Sequence, residues 1–367
     1  MIALPLTDWP RRVALKLVYT DNQLSFMKLH TQSILSNSAI FKIAIVISMT
    51  VTQALASQSQ QDLNSLLISA QPGDVIETDA ADFEQINLTG YSFSPAVTIK
   101  FHDDAKVTSM VIRNSIGLHF DNANIRPGVS SRPNSDKAVY VFGGGDLKFS
   151  NSTIAWDDDG DPTNNAVAML FDGVNGLVVE FNRISHSTNG TQVRTSSDVR
   201  IQNNQYSRML ADGIVASGIT NLEILDNLCV DWDKIPGSRG HPDCIQLQTG
   251  FRALPVVNAR IADNIIVQGK GDRFQGIFVA SSHAGIPHIN TIIEKNIIRL
   301  DIGLGIAAGN VDGLTIHAND IRPSYQASDR PRIVLYDPTT NVEITDNVTS
   351  GIRAPDDAIV EGNELLP

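Results

Sequence analysis

A nine-residue phrase of alternating apolar and polar positions recurs along the chain. It reads GLVVEFNRI (176–184), DVRIQNNQY (198–206), NLEILDNLC (221–229) and NARIADNII (258–266). It continues as NTIIEKNII (290–298), GLTIHANDI (313–321) and NVEITDNVT (341–349), with a last echo at DAIVEGNEL (357–365). Degenerate copies, GLHFDNANI and DLKFSNSTI, come earlier. Alternation puts Val, Ile and Leu on one face, the pattern of a half-buried strand. The seventh place holds Asn182, Asn204, Asn227, Asn264, Asn296, Asn319, Asn347 and Asn363. Well-formed copies begin 22, 23, 37, 32, 23 and 28 residues apart. A minimum period near 22 accommodates three short strands and three turns. Asn tolerates left-handed turn backbone and hydrogen-bonds along a stack, so the column marks one corner of a solenoid. The pattern predicts an all-β chain folded as a single-stranded parallel β-helix. A propeller or a sandwich fits the short period and the single column less well.

A second strand precedes each phrase. Ile214, Ile245, Ile277 and Ile306 share one inward place. Gln192, Arg194, Val215, Gln246, Gln248 and Phe278 then point outward, forming either a polar groove for a hydroxyl-rich ligand or an ordinary solvated face. Asp212 and Asp243 fall at the same place in consecutive coils. Stacked coils sit about 4.8 Å apart. Such a pair can hold a cation, Ca²⁺ by its oxygen ligands, or one proton at a raised pKa. Alternatively, each Asp caps its own turn.

The long insertion before the Asp243 strand carries Asp231, Trp232, Asp233, Lys234, Arg239 and His241. The next carries Lys270, Asp272 and Arg273, and SSHAGIPHI brings His283 and His288. Insertions in solenoids gather on one face, often the binding face, so these charges are expected to converge. Tyr206 and Arg208 approach the Asp212 strand from the same edge. The run WDDDGDPTNN (156–165) has the acid density of a Ca²⁺ loop without EF-hand spacing, and reads equally as a solvated acidic loop. No zinc spacing, phosphate loop or nucleophile elbow is present.

Ahead of the coils, QQDLNSLLISAQPGDVIETDA places Leu63, Leu66 and Leu67 on one face of a short helix that caps the open sheet edge. Residues 1–56 read differently. From Met27, two lysines, an apolar run over 39–51 and Ala54-Leu55-Ala56 form a secretory signal peptide, preceded by an upstream extension. The expected domain is therefore 57–367, secreted or periplasmic, with no stable membrane insertion after cleavage. The formal net charge is −12 over the whole chain, and the leader removes five cations but only two acids. That balance excludes non-specific nucleic-acid binding, which needs a basic surface. The two cysteines, Cys229 and Cys244, are either a disulfide or two small buried thiols.

The Asn column, the AQPGD lead-in and the repeated phrase resemble the right-handed parallel β-helix superfamily of pectate-lyase type, over about Gln58 to Pro367. Within it, the chain is most similar to bacterial polysaccharide lyases and alginate C-5 epimerase-like proteins. The resemblance implies a polysaccharide substrate and a first step shared by both activities. The uronate carboxylate is neutralised, the C-5 proton removed, and the anion stabilised. Asp212, His241 and Asp243 are then the candidate catalytic residues, His241 because its near-neutral pKa suits a base. Asp212 and Asp243 are the candidate Ca²⁺ ligands. Arg194, Lys234, Arg239, Gln246, Gln248, Lys270 and Arg273 are candidate substrate binders. The chain departs from the epimerase Asp-Pro-His-Asp signature, carrying GHPDC instead, and lacks the Gly-His-Gly of polygalacturonase-type hydrolases. A hydrolase and a non-catalytic glycan-binding protein on the same fold remain the alternatives.

Overall fold

A computed structural model describes residues 60–367 apart from 134, 234–240, 251, 284, 326–328 and 337. The proposed leader and extension, 1–56, and the candidate ligands Lys234 and Arg239 lie outside the described residues. Among the described residues 29 strands join side by side, and their pairings are parallel throughout.

The repeated phrase forms one sheet, running through Asn175–Glu180, Val257–Ala262, His288–Glu294, Val311–His317 and Thr340–Thr345. A corner leads to a second, short sheet that includes Arg183–Ser187, Gln205–Met209, Leu228–Val230 and Ile297–Leu300. The third, here called the site sheet, stacks Val167–Asp172, the first halves of Thr191–Gln202 and Ile214–Leu225, then Asp243–Gln248, Gln275–Ala280, Leu304–Gly309 and Arg332–Tyr336. Ile214, Ile245, Ile277 and Ile306 are in register and buried, as the alternation requires.

The Asn column is a continuous ladder from Asn182 to Asn363. From Asn204 onward each Oδ1 takes two bonds from the coil before it, the backbone N–H and Nδ2 of the preceding Asn, at 2.9–3.1 Å. The left-handed backbone expected at these Asn falls one residue earlier, on Phe181, Asn203, Asp226, Asp263, Lys295, Ala318 and Asp346. The ladder Asn must turn its amide inward to reach its neighbour, so the exposed residue before it takes the strained φ.

The helix at 60–69 lies at the N-terminal end. Leu63 and Leu67 are buried in the core, whereas Leu66 is 45% exposed. Two leucines four apart suffice to cover the coil end, and the third lies off that stripe. Cys229 and Cys244 form a disulfide, with Cα atoms 6.0 Å apart. It ties the short-sheet strand Leu228–Val230 to the start of Asp243–Gln248, across the foot of the 231–242 insertion.

Candidate active site

Where the chain enters the site sheet, a second polar column forms. Register places Lys137 beside Val167, and then Asn189, Asp212, Asp243 and Gln275 in successive coils. Asn189 Oδ1 accepts the Asp212 N–H at 3.1 Å, and Asp212 Oδ1 accepts the Asp243 N–H at 2.9 Å. Asp212 and Asp243 therefore stack as the sequence predicts. Gly213 keeps this corner narrow. A Cβ there would lie 2.7 Å from the Cys244 carbonyl and 3.3 Å from the Trp232 ring.

Asp243 is 0% exposed. Its Oδ2 lies 3.2 Å from His241 Nδ1 and accepts from Gln246 Nε2 at 3.1 Å. Its Oδ1 is buried with no partner among the described residues. The His241 side chain is 49% exposed, with its ring centroid 5.2 Å from that of Phe278. Pro242 holds the histidine one residue clear of the strand, and the Pro242 carbonyl is taken by the Gln275 N–H. The result is an imidazole above a buried carboxylate, on a rim stapled by the Cys229–Cys244 disulfide.

These groups shift one another. Burial, then the charge of Asp243, pushes the Asp212 carboxyl up to about 7. Burial also raises Asp243, against the stabilising bonds from His241 and Gln246. The hydrogen bond to Asp243 lifts His241 above its ordinary value despite partial burial. One carboxyl thus holds its proton to about pH 7, beside a second carboxyl and an imidazole that are both raised, a setting suited to acid–base work.

The two stacked acids are a poor calcium cage. One Asp212 oxygen is occupied by a backbone N–H, and one Asp243 oxygen by His241 and Gln246. No cluster of three His, Cys, Asp or Glu side chains suited to a metal occurs among the described residues. A cation that wants six to eight oxygens finds too few here. The acidic run 157–161 spends its oxygens on its own loop. Asp157 caps Asp158, Asp159 takes Asp161 N–H and Asn164 Nδ2, and Asp161 caps Thr163.

Several expected contacts resolve otherwise. Arg273 pairs with Asp301 at 3.3 Å, and the Lys270 backbone N–H is held by Asp231 Oδ1 at 2.6 Å. Trp232 and Asp272 bridge the two insertions. The loops therefore meet each other, and the Arg273 guanidinium is spent on Asp301 rather than on the two stacked acids. Trp232 is a core residue, stacked on Phe274 at 4.2 Å and donating Nε1 to the Ala211 carbonyl. Tyr206 is buried against Thr191, and Arg208 pairs with Asp233 at 2.6 Å. His288 is buried and accepts the Val256 N–H, which makes it structural. Gln192 is covered rather than open, with Arg194 Nη2 on its Oε1 at 3.2 Å.

With the coils and the corner in place, comparison with known proteins becomes informative. A family model described as right handed beta helix region matches residues 96–234. The chain is a right-handed parallel β-helix. No curated protein matches in sequence. An alginate lyase from Paenibacillus sp. superposes with a TM-score of 0.50 at 14% identity, covering 77% of this chain and 96% of that one. DFA-IIIase from Arthrobacter chlorophenolicus gives 0.48 at 11% identity, covering 86% and 80%. The periplasmic alginate epimerase AlgG gives 0.47 at 12% identity, covering 78% and 67%.

Sequence reasoning missed two residues of this β-helix. Lys137 heads the corner column, half-buried, its pKa lowered by burial and then by Arg194. Arg252 reaches back from a loop on the other edge of the site sheet. The available signal for Arg252 was the TGFRALP insertion, which lengthens one coil between its first two sheets. No helix among the described residues is long and apolar enough to cross a membrane.

Proposed function

We propose that this β-helix is an exported polysaccharide-active enzyme that removes the C-5 proton of a uronate unit, as a lyase or a C-5 epimerase. The supporting observation is the His241–Asp243–Asp212 arrangement: an exposed imidazole held by a buried carboxylate, beside a carboxyl that stays protonated to about pH 7. Asp243 fixes the Nδ1–H tautomer of His241, leaving Nε2 as the base toward the groove. Nε2 takes the C-5 proton, and the C–H electron pair moves into the carboxylate as an enediolate. Asp212, protonated, hydrogen-bonds that carboxylate and spreads its charge. In an epimerase a proton returns to the opposite face of C-5. In a lyase the imidazolium returns its proton to the C-4 oxygen, the C4–O bond breaks, and a C4=C5 double bond forms. Asp243 acts as a positioning residue.

The burial of Asp243 also favours this chemistry over glycoside hydrolysis. A paired-carboxyl hydrolase needs both groups open to sugar or water. Asp243 is fully buried. The test incubates the protein with a panel of uronate polymers in deuterated buffer. Growth of ultraviolet absorbance from an unsaturated product means elimination, and deuterium at C-5 without that absorbance means epimerisation. Silence on every polymer, with binding retained, makes it a glycan-binding protein instead.

A further inference from the structure

At the opposite edge of the site sheet, the outward column runs Asp172, Arg194, Ser217 and Gln248. After Gln248 the chain leaves the coil and turns back over this column. Arg252 grips Asp172 with both forks, Nη1 to Oδ1 at 2.9 Å and Nη2 to Oδ2 at 3.0 Å, and reaches Thr195 Oγ1 at 2.6 Å. Leu254 closes on Gly218, whose absent Cβ would sit 2.9 Å from that of Leu254. Between strap and sheet lies a pocket of about 200 Å³ lined by Arg194, Ser217, Gln248, Thr249, Gly250 and Arg252.

The lining is rich in donors and holds no carboxylate. Arg194 meets no carboxylate at ion-pair distance among the described residues, and its guanidinium donates to Gln192 Oε1. Arg200 and Arg260, by contrast, are paired with Glu223 and Glu294. The Arg252–Asp172 pair is neutral as a unit, so Arg194 leaves the pocket net positive. Lys137 feels that charge, which adds to burial in depressing its pKa. A half-buried guanidinium without an ion-pair partner gains when an anion joins it. The five-residue step from Asp243 to Gln248 spans about 16 Å at a strand rise of ~3.3 Å per residue. A group held here belongs to a different sugar from the one under His241.

We propose that this pocket is a subsite for an anionic substituent, a carboxylate or a sulfate half-ester, on a glycan unit remote from the reacting carbon. It rests on the glycan reading above, and it adds a charge requirement away from the chemistry. The guanidinium of Arg194 takes the anion as a fork, and the Gln248 amide and Ser217 hydroxyl supply further donors.

The test is calorimetric binding of three oligosaccharides of equal length, neutral, uronate and sulfated, to the His241→Ala protein, which leaves them intact. Arg194→Gln in that background is expected to weaken one or both charged ligands about tenfold and leave the neutral ligand unchanged. Arg194→Lys keeps the charge without the fork and restores part of the loss, and added salt weakens the parent more than the Gln variant. Which charged ligand responds tells carboxylate from sulfate. Equal losses on neutral and charged ligands, no loss on either charged ligand, or a parent that binds neither would overturn the subsite. If no polymer exchanges its C-5 proton yet Arg194→Gln still shows the charge-selective loss, the chemistry fails and the subsite stands. Proton exchange with unchanged binding in Arg194→Gln fails the subsite alone.

Discussion

Two polar columns climb this β-helix, one at each of two corners, and they use the same device differently. In both, a side-chain oxygen of one coil captures a backbone N–H of its neighbour. The ladder from Asn182 to Asn363 is balanced, since every amide also donates to a carbonyl of the preceding coil and, up to Asn347, to the next Asn, as Asn264 does to Ile224 and Asn296. At the site corner Asp212 and Asp243 replace amides by carboxyls, which accept and do not donate unless protonated. Each step is a single bond, and Asp243 Oδ1 and Gln275 Oε1 end buried without partners among the described residues. One corner has closed its hydrogen-bond accounts; the other carries a surplus of acceptors that a proton can fill.

Breaking the balanced column should cost the most. Asn264→Ala strands the N–H of Asn227, removes one of the two acceptors of Asn227 Nδ2 and takes a donor from the Ile224 carbonyl. Losing several buried bonds at once is expected to lower stability by about 4 kcal/mol, measured by urea unfolding. A loss under about 1 kcal/mol would mean the column decorates the corner without holding it. Replacing Cys229 and Cys244 together by Ser opens a loop of sequence separation 15 and should remove about 3 kcal/mol. His241→Ala touches the unbalanced column and reverses the pattern. The turnover rate should fall about 10²-fold, while the unfolding midpoint barely moves. A destabilised protein of unchanged rate would place His241 with the structural residues.

The smallest effect separates the columns by pH. Asp212 ionises near 7 in the folded chain, against an ordinary value of 3.8. Its contribution is therefore complete below pH 3.8 and disappears as the pH rises through 7. His241, raised by Asp243, likewise stabilises in its protonated form and loses that contribution on the alkaline side. Stability should fall between about pH 4 and pH 8. Asp212→Asn keeps the acceptor for the Asp243 N–H and should remove most of that slope, gaining about 1–2 kcal/mol over the parent at pH 8. Asn264→Ala, with no titrating group altered, should keep the parental slope. For turnover, neutral His241 and protonated Asp212 must coexist, so a narrow optimum near neutral pH is expected, with its alkaline limb flattened in Asp212→Asn.

The repeat was legible because its physics is local. Alternation in each phrase reports burial, and a fixed offset reports register, so Ile245 and Asn264 could be placed without coordinates. The stacking of Asp212 on Asp243 followed from the same offset. Side-chain partners across coils were not legible, since nothing local to Arg273 names Asp301, and nothing local to Arg252 names Asp172, which is 80 residues earlier. Nothing in the insertion around Trp232 announces a core residue. Its burial follows from Gly213 and Phe274, which make room for its ring and stack on it. Lys137 went unremarked because it precedes the well-formed copies, where the offset could not yet be counted.

The disulfide also governs how the molecule comes apart. In a stack of nearest-neighbour coils, unravelling starts at an end and advances one coil at a time. The strands Ile359–Glu361 and Glu364–Leu365 are exposed. A front moving inward from them meets loose coils first and then the Cys229–Cys244 staple, beyond which further peeling must drag a closed ring of chain. The terminal coils can fray and re-form while His241 and Asp243 keep their places, so the protein can shed part of its length without losing the corner on which its proposed chemistry depends.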